Sequence, residues 1–170
     1  MAILETERLR LREFIEADYV FVLQLLNTKG WLDFIGDRGV KSEEDAKNYI
    51  TSRLMEGYKT FGFGFYLVEL RDFKTPIGMC GLVKRSGLED VDLGFAFLPE
   101  YEGKGFAKES SEEIINYAKN SLKINQLAAI TVPKNLKSIQ LLKRLNFEFE
   151  KIVQLENDKE ELMLFKLRIN

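Results

Sequence analysis

The pattern of apolar and polar residues in the first part of the chain predicts one strand followed by two helices. In TERLRLREF (6–14), arginines alternate with leucines, so the two residue types fall on opposite faces of a half-buried strand. The run IEADYVFVLQLLN (15–27) predicts a largely apolar helix. Ser42, with Asp45 three residues later, predicts the N-terminal cap of a second helix that continues to about Gly57.

The rest of the chain predicts four more strands, two more helices and, at its end, a two-stranded hairpin. Three strand-like runs, 63–70, 76–85 and 91–98, are joined by short polar links and predict an antiparallel meander. The remaining predicted elements are a helix that begins within GKGFA (103–107), a strand at 126–132, a helix at 135–145, and a closing hairpin formed from 147–156 and 159–169. Together these elements predict an α/β (α+β) fold. We expect a mixed, mostly antiparallel seven-stranded sheet flanked by about four helices, in a single domain of residues 1–170.

Composition and charge narrow the functions that this chain can carry. Its 170 residues have a net charge of −2 and a pI near 5.5, which gives no general electrostatic footprint for nucleic acid or an anionic membrane. The single Cys80 allows no intrachain disulfide, and its apolar surroundings predict that it packs as a small buried residue. Because the chain has no histidine, a Ser-His-Asp triad and a zinc site are disfavoured, and we expect no metal.

The sequence also gives expectations about location and partners. The opening segment MAILETERLRLREF is charged from the fifth residue, unlike a signal peptide, and no apolar run reaches transmembrane length. We therefore expect a cytoplasmic protein with no nucleic-acid partner and no membrane partner. The apolar run LMLFKLRI (162–169) in the closing hairpin is suited to pairing with another chain, so we expect a monomer or a homodimer.

The segment EYEGKGFAKESSEEIINYA (100–118) places two glycines and a lysine directly before a predicted helix. A helix N-terminus carries unsatisfied N–H groups and a partial positive charge, and glycine lets a phosphate approach the backbone closely. The same residues also fit a plain strand-to-helix turn. The spacing matches neither the P-loop pattern G-x-x-x-x-G-K-[ST] nor the dinucleotide fingerprint G-x-G-x-x-G. The residues alone leave both interpretations open.

A second segment, TVPKNLKSIQLLKRLNF (131–147), ends a strand at a proline and starts a helix at Asn135. Asn135 fits the N-cap of that helix, and Ser138 lies one turn further on the same side. The Ser138 hydroxyl either faces a ligand beyond the strand ends or bonds its own backbone. Four basic residues form a basic island in this segment: Lys134, Lys137, Lys143 and Arg144.

Taken in order, these motifs resemble the GNAT superfamily of N-acetyltransferases. EGKGFA (102–107) resembles the acetyl-CoA pyrophosphate loop Q/R-x-x-G-x-G/A of that superfamily, and NLKSIQLLKRLNF (135–147) resembles its later segment beginning N-x-x-[AS]. The runs ETERLRLREF (5–14) and DLGFAFLPEYEGKGFAKES (92–110) are similar to the branch that acetylates ribosomal-protein N-termini. The resemblance covers essentially the whole chain, and it implies the GNAT fold and an acetyl-CoA-dependent N-acetyltransferase.

The resemblance also implies which residues bind acetyl-CoA. Backbone N–H groups of the glycine loop cradle the coenzyme A pyrophosphate, the end of the preceding strand bonds the pantetheine amides, and the basic island supplies a partner for the 3′-phosphate. The implied cofactor-binding residues are Phe97, Leu98, Gly103, Lys104, Gly105, Phe106, Ala107, Lys108, Asn135 and Ser138.

The catalytic residues implied by the resemblance are Asp92 and Ser138. Asp92 stands where the family has a glutamate proposed as the base, and Ser138 stands where the ribosomal branch often has a serine credited with protonating the leaving thiolate. Leu142 occupies the position at which many members carry a tyrosine for that task. Strand alternation places Asp92 on one face with Gly94 and Ala96, and these two small residues predict room for a ligand.

The acceptor is expected over the two N-terminal helices and the loop TKGWLDFIGDRG (28–39), called the acceptor loop below. Trp31, Phe34 and Asp37 are its candidate substrate-binding residues. Three hypotheses stay open: acetylation of a protein N-terminal α-amine, acetylation of a small amine such as a polyamine, amino acid or antibiotic, and a non-catalytic CoA-binding protein. Acidic residues around the acceptor would favour a polyamine.

Overall fold

Eight strands form a single sheet in the computed structural model, which describes residues 2–156 and 158–170. The strands are β1 (Ala2–Glu5), β2 (Leu9–Glu13), β3 (Phe65–Leu70), β4 (Pro76–Val83), β5 (Val91–Phe97), β6 (Gln126–Thr131), β7 (Glu148–Val153) and β8 (Leu162–Arg168). Their spatial order is β1-β2-β3-β4-β5-β6-β8-β7. Every neighbouring pair is antiparallel except β5 and β6, which are parallel. The predicted mixed, mostly antiparallel sheet is confirmed.

The described sheet has one strand more than the seven that the sequence predicts. The additional strand is β1, which pairs with β2 across a turn at residues 6–8. Because β1 has only four residues, its sequence is too short to show an alternation of apolar and polar positions. The predicted meander is confirmed, since β3, β4 and β5 pair antiparallel in chain order.

Six α-helices are found in residues 2–156 and 158–170, where the sequence predicts about four. They are α1 (Tyr19–Leu26), α2 (Lys29–Phe34), α3 (Glu43–Tyr49), α4 (Met55–Phe61), α5 (Phe106–Asn120) and α6 (Leu136–Arg144). A π-helical stretch, Ile50–Leu54, joins α3 to α4, so the helix predicted to end near Gly57 continues to Phe61. The unpredicted helix is α2, which is too short for an apolar period to be recognised.

Local caps explain where the N-terminal helices begin and end. Ser42 and Asp45 form the predicted capping box at the start of α3, each side chain accepting from the backbone N–H of the other. Gly62, with φ of +78°, ends α4 in the left-handed conformation that glycine adopts readily. Thr28 caps α2 by accepting a hydrogen bond from the Trp31 N–H at 3.3 Å.

The helices lie in two layers, one on each face of the sheet. On one face, α5 and α6 pack on a core that includes Leu9, Leu93 and Phe97. On the other face, α1 to α4 pack on a second core that includes Leu67 and Met79. Burial of each such side chain contributes about 1.5–3 kcal/mol, so these two cores fix the sheet between the helical layers. No helix in the described part of the chain is long and apolar enough to cross a membrane.

The sheet opens between its two parallel strands. β5 and β6 pair only at Val91 with Leu127 and at Asp92 with Ala128. Beyond these pairs, β5 remains paired with β4, and β6 remains paired with β8. We call the resulting gap, between residues 93–97 of β5 and 129–131 of β6, the seam. Ligands of sheets with parallel strands bind at the carboxyl ends of those strands, so the seam is where a site is expected.

Candidate active site

The glycine loop follows β5 and leads into α5. The chain passes through a short 3-10 turn, Pro99–Tyr101, and then through Gly103 and Gly105, whose φ angles are +72° and +83°. Both angles lie in the left-handed region, where a side chain with a Cβ atom is strained. Local geometry therefore requires both glycines, and Gly105 is the N-cap residue of α5.

The backbone N–H groups of this loop form a cluster of free donors. Among the described residues, none of the six N–H groups from Gly103 to Lys108 donates to a protein acceptor. The first hydrogen bond of the helix runs from the Glu109 N–H to the Gly105 carbonyl at 3.0 Å. Free N–H groups and the positive end of a helix dipole attract an anion. We call these six N–H groups the cradle.

Two cations of the basic island form ion pairs with acidic residues. Lys137, on the first turn of α6, pairs with Glu102 of the glycine loop at 3.0 Å. Lys134 pairs with Glu160 at 3.3 Å. Two cations of the basic island are therefore balanced by acids, whereas Lys143 and Arg144 form no ion pair with any described residue and are exposed.

The start of α6 confirms one prediction and leaves another open. Asn135 is the N-cap, and its side-chain oxygen accepts a hydrogen bond from the Ser138 N–H at 3.2 Å. The half-buried Ser138 hydroxyl has no hydrogen-bond partner in the described residues, so it stays free to meet a ligand. Leu142 is 1% exposed and packs in the core, so this position supplies no acid. Asn146, just after α6, adopts φ of +65°, a left-handed conformation that asparagine tolerates.

Asp92 is a buried carboxylate at the closed end of the seam. Its side chain is 2% exposed and pairs with the guanidinium of Arg85, which extends from the link between β4 and β5. Its other oxygen, Oδ1, is buried without a hydrogen-bond partner among the described residues. Burial raises the pKa of Asp92 to about 6, although the positive charge of Arg85 opposes the shift. A carboxylate with this pKa changes its charge close to neutral pH.

The room predicted beside Asp92 is partly filled. A Cβ atom at Gly94 would lie 2.7 Å from the ring of Phe65, so Gly94 accommodates that ring. Tyr49, at the end of α3 in the α1–α4 layer, is half-buried. Burial raises the pKa of Tyr49, and the positive charges of Arg38, Arg85 and Arg53 act against that rise. None of these arginines was predicted from the sequence.

At the end of β5, the backbone N–H and C=O groups of Phe97 and those of Leu98 point in opposite directions. The Leu98 N–H donates to the Ile77 carbonyl at 2.9 Å, and the Leu98 carbonyl accepts from the Tyr101 N–H at 3.0 Å. Leu98 therefore holds the end of β5 against β4. Because backbone groups alternate along a strand, those of Phe97 point the other way, toward the seam. Of the two residues predicted to bond pantetheine, Phe97 is therefore the one whose backbone groups face the seam.

The three predicted acceptor residues have different environments. Trp31 is 6% exposed in the second core, and its indole N–H donates to the Gly36 carbonyl at 3.1 Å. Phe34 is half-buried at the end of α2. Asp37 is exposed, and a hydrogen bond from the Gly39 N–H, followed by one from Lys41, lowers its pKa. Trp31 therefore supports the acceptor loop from inside, while the other two lie nearer its surface.

The geometry combines three elements that suit transfer of a group from a phosphate-bearing donor. These are an anion cradle at the end of β5, an open seam with free backbone groups, and a buried carboxylate at the closed end of the seam. Arg85 could have been anticipated, because a short link between antiparallel strands returns the chain near its starting point. Cys80, as predicted, is buried in the core, and burial raises its pKa to about 11.

Comparison with known protein families gives a direct match. The acetyltransferase (GNAT) domain family matches residues 8–148. A curated relative, the uncharacterized N-acetyltransferase YnaD of Bacillus subtilis, is 28% identical over 145 residues, which cover 85% of this chain and 82% of the relative. The match to the family thus spans β2 to the start of β7, including the cradle, the seam and Asp92.

Solved structures show the same fold. An acetyltransferase from Agrobacterium tumefaciens superposes with a TM-score of 0.82 at 22% identity, covering 98% of this chain and 94% of that one. A ribosomal L7/L12 alpha-N-protein acetyltransferase, RimL, in complex with coenzyme A superposes with a TM-score of 0.83 at 17% identity, covering 99% and 98%. At these identities the similarity concerns the fold.

Proposed function

Because the chain belongs to the acetyltransferase (GNAT) family, it is an acetyl-CoA-dependent N-acetyltransferase, and we propose that its acceptor is the α-amine of a protein N-terminus. We further propose that residues 1–170 act as one catalytic domain. The observation that carries the proposal is the alignment of the cradle, the seam and Asp92 along β5.

The residues of the site fit acetyl-CoA. The cradle, formed by the backbone of Gly103, Lys104, Gly105, Phe106, Ala107 and Lys108, would hold the pyrophosphate, because its N–H groups lack acceptors among the described residues. Phe97 would bond the pantetheine arm through backbone groups that face the seam, with Leu98 fixing the strand beside it. Asn135 and the basic island would border the nucleotide end. When bound, acetyl-CoA supplies an acetyl group activated as a thioester.

Asp92 would accept a proton from the acceptor amine. A neutral amine is needed for attack, and an α-amine has a reference pKa of about 7.7–8.0, compared with about 10.4 for a lysine side chain. With its pKa near 6, Asp92 is ionised at neutral pH and is matched to the milder demand of an α-amine. Its unpartnered Oδ1 is the atom that we assign to the proton, directly or through one water.

Ser138 would assist the leaving group. Its hydroxyl is half-buried at the start of α6, and a hydroxyl both donates and accepts, so it can donate to a developing thiolate. Leu142 cannot serve this purpose, because its side chain is apolar and buried. We therefore assign the thiolate contact to Ser138.

The charge around Tyr49, on α3, favours a peptide acceptor over a polyamine. Three guanidinium groups, those of Arg38, Arg53 and Arg85, act on Tyr49 in this region. A polyamine carries several positive charges and would be repelled there, whereas a protein N-terminus brings a single amine. In the acceptor loop, Phe34 and Asp37 would contact the peptide, and Trp31 would hold the loop in place. The name of the RimL relative, an alpha-N-protein acetyltransferase, agrees with this assignment.

The experiment is an acetylation assay with matched acceptors. Two peptides of one sequence are compared, one with a free N-terminus and acetylated lysine, and one with a blocked N-terminus and free lysine, beside spermidine as a polyamine. We expect kcat/KM for the free N-terminus to exceed the other two by at least about tenfold. Faster turnover of spermidine or of the lysine peptide would overturn the proposed acceptor.

A binding measurement separates the remaining alternative. Calorimetric titration with acetyl-CoA, coenzyme A and dephospho-CoA tests the cradle and the basic island independently of any acceptor. Tight binding of acetyl-CoA with no transfer to any acceptor would favour a non-catalytic CoA-binding protein. Weaker binding of dephospho-CoA would support a role for Lys143 and Arg144, the two cations of the island without an ion-pair partner in the described chain.

A further inference from the structure

We propose that Arg8 is a positioning residue of the cradle: it holds the Lys104–Gly105 peptide so that the Gly105 N–H points toward the bound phosphate. The inference rests on the proposed function of the cradle and concerns a residue from the opposite end of the chain. Arg8 lies in the turn between β1 and β2, about a hundred residues before the loop it contacts.

The anchor of this arrangement is Glu109, on the first turn of α5. Its Oε1 accepts hydrogen bonds from the Thr6 hydroxyl at 2.5 Å and from the Arg8 N–H at 3.0 Å. Its Oε2 accepts from the Arg8 Nε at 2.7 Å and also lies 2.7 Å from Arg8 Nη2. We call this group of three residues, Thr6, Arg8 and Glu109, the latch. Four donors on one carboxylate fix both the guanidinium plane and the helix end.

The remaining nitrogen of Arg8 reaches the glycine loop. Its Nη1 donates to the Lys104 carbonyl at 3.0 Å, and the guanidinium lies 4.4 Å from the centre of the Phe106 ring. A Cβ atom at Gly105 would lie 3.3 Å from Arg8 Nη2, so the guanidinium covers the back of this residue. Arg8 thus bonds the Lys104 carbonyl, packs on the Phe106 ring and fills the space where a Gly105 side chain would lie.

Because the peptide bond is planar, the contact with the Lys104 carbonyl also fixes the direction of the Gly105 N–H. In a trans peptide the C=O of one residue and the N–H of the next point in opposite directions. Because Arg8 fixes the Lys104 carbonyl, it also fixes the Gly105 N–H, which must point away from Arg8. Glycine has little intrinsic preference for one peptide orientation, so without this contact the Lys104–Gly105 peptide is free to rotate.

The latch also neutralises a negative charge close to the proposed phosphate site. A carboxylate on the first turn of a helix is favourable for the helix dipole, but here it stands near the site for a phosphate. Arg8 neutralises Glu109 while directing its own polar atoms away from the cradle. The turn that carries Arg8 is itself held, because Arg71 donates from its backbone N–H to the Arg8 carbonyl at 2.9 Å and from Nη1 to the Thr6 carbonyl at 3.0 Å.

The test compares acetyl-CoA with acetyl-pantetheine, a donor that has the thioester but no phosphate. The variants are Arg8→Lys, Arg8→Gln and Glu109→Gln, and the measured quantity is kcat/KM for each donor. We expect the preference for acetyl-CoA to fall by about tenfold, the effect of one hydrogen bond to a charged group, through KM for acetyl-CoA. Values of kcat and of KM for acetyl-pantetheine should stay within about twofold.

Two comparisons make the result decisive. Arg8→Lys keeps the charge, but one ammonium cannot reproduce the guanidinium fork that joins Glu109 to Lys104, so it should behave like Arg8→Gln. Arg71→Gln loosens the same turn without touching the loop and should leave the preference unchanged. If Arg71→Gln lowers it equally, or if the two donors are affected alike, the effect is one of general stability and the positioning role is wrong.

The proposed function can fail separately. If the wild-type protein uses acetyl-CoA and acetyl-pantetheine equally well, the cradle does not bind phosphate, and the assignment of the glycine loop is wrong. If the wild type prefers acetyl-CoA and the Arg8 variants keep the full preference, only the latch is wrong. For a variant that is recovered unfolded, hydrogen exchange of the Gly105 amide in folded Glu109→Gln supplies the same test, with faster exchange than in the wild type expected when CoA is bound.

Discussion

Two carboxylates of this protein are each paired with one arginine, and the pairs behave in opposite ways. Asp92 and Arg85 meet at the closed end of the seam, where the carboxylate is 2% exposed. Glu109 and Arg8 meet behind the cradle, where the carboxylate is 19% exposed. Burial raises the pKa of Asp92 to about 6. Burial also acts to raise the pKa of Glu109, but the donors of the latch together outweigh it and lower that pKa.

The difference lies in the depth of burial and in the number of donors, and not in the presence of an arginine. Glu109 accepts from a hydroxyl, a backbone N–H and a guanidinium, so its negative charge is fully compensated. Asp92 has one partnered oxygen and one buried oxygen without a partner among the described residues. A compensated carboxylate stays charged and holds structure, whereas an uncompensated one can exchange a proton near neutral pH. The same ion pair therefore suits two different tasks.

The largest expected effect is a difference in kcat between variants of the two carboxylates. Asp92→Asn should lower kcat by about 10²-fold or more, because it removes the proposed proton acceptor. Glu109→Gln should leave kcat within about twofold and raise KM for acetyl-CoA. Steady-state kinetics on both variants, with acetyl-CoA binding measured by calorimetry, checks this contrast. Equal losses of kcat in the two variants would mean that Asp92 is structural, as Glu109 is.

The second prediction concerns stability and pH. Because the folded-state pKa of Asp92 lies above its unfolded value, its ionisation opposes folding as pH rises from about 4 through 6. At 1.36 kcal/mol per pKa unit, the cost at pH 7 is at most about 3 kcal/mol. Asp92→Asn should therefore gain free energy of unfolding relative to the wild type between pH 4 and 7. Urea unfolding at both pH values measures the difference.

For Glu109 the sign is reversed. Its folded-state pKa is lowered, so its stabilising contribution is present above the unfolded pKa of about 4.3 and is lost as pH falls through the lower, folded-state pKa. Glu109→Gln should thus be less stable than the wild type at pH 7, and the gap should narrow in acid. A gap that widens in acid would contradict the role given to the latch.

The third prediction concerns how each arginine affects the pH dependence of activity. Arg85→Gln removes the charge that holds the Asp92 pKa down, so that pKa should rise above about 6. The acid limb of the kcat/KM profile should then move to higher pH, because the base must be ionised to accept a proton. Arg8→Gln should leave the limb in place. A limb that does not respond to Arg85→Gln would assign it to a group other than Asp92.

The smallest expected effect belongs to Ser138. Removing its hydroxyl in Ser138→Ala should lower kcat by about tenfold or less, since solvent can also protonate a thiolate, and should leave the pH profile unchanged. The N-cap of α6 survives this change because the Ser138 backbone N–H, not its hydroxyl, bonds Asn135. Single-turnover rates with acetyl-CoA check it, and an unchanged rate would leave Ser138 as a cofactor contact alone.

The sequence predicts those features of the fold that depend on neighbouring residues. Alternation in the strands and the capping box at Ser42 are local signals, and the structure confirms them. The short elements β1 and α2 were not predicted, because four or six residues are too few to show a periodic pattern of apolar positions. The family resemblance added the acetyl-CoA assignment, which no local pattern contains.

The site was less predictable where it depends on tertiary contacts. Arg8 reaches its carboxylate from the opposite end of the chain, and nothing in its own surroundings in the sequence distinguishes it from other charged surface residues. Trp31 shows the converse, since its place in a predicted loop suggested ligand contact, whereas the structure packs it in the core. Side-chain roles that join distant segments require the fold before they can be assigned.

The seam has a consequence for the protein as a physical object. Five strands lie on one side of it and three on the other, and between them β5 and β6 share only two paired positions. A molecule bound along the seam ties the two parts together, so its binding free energy adds to the resistance against opening. At a concentration one hundred times the dissociation constant this contribution is about 2.7 kcal/mol. The lifetime of the enzyme in a cell would then rise and fall with the supply of its own acetyl donor.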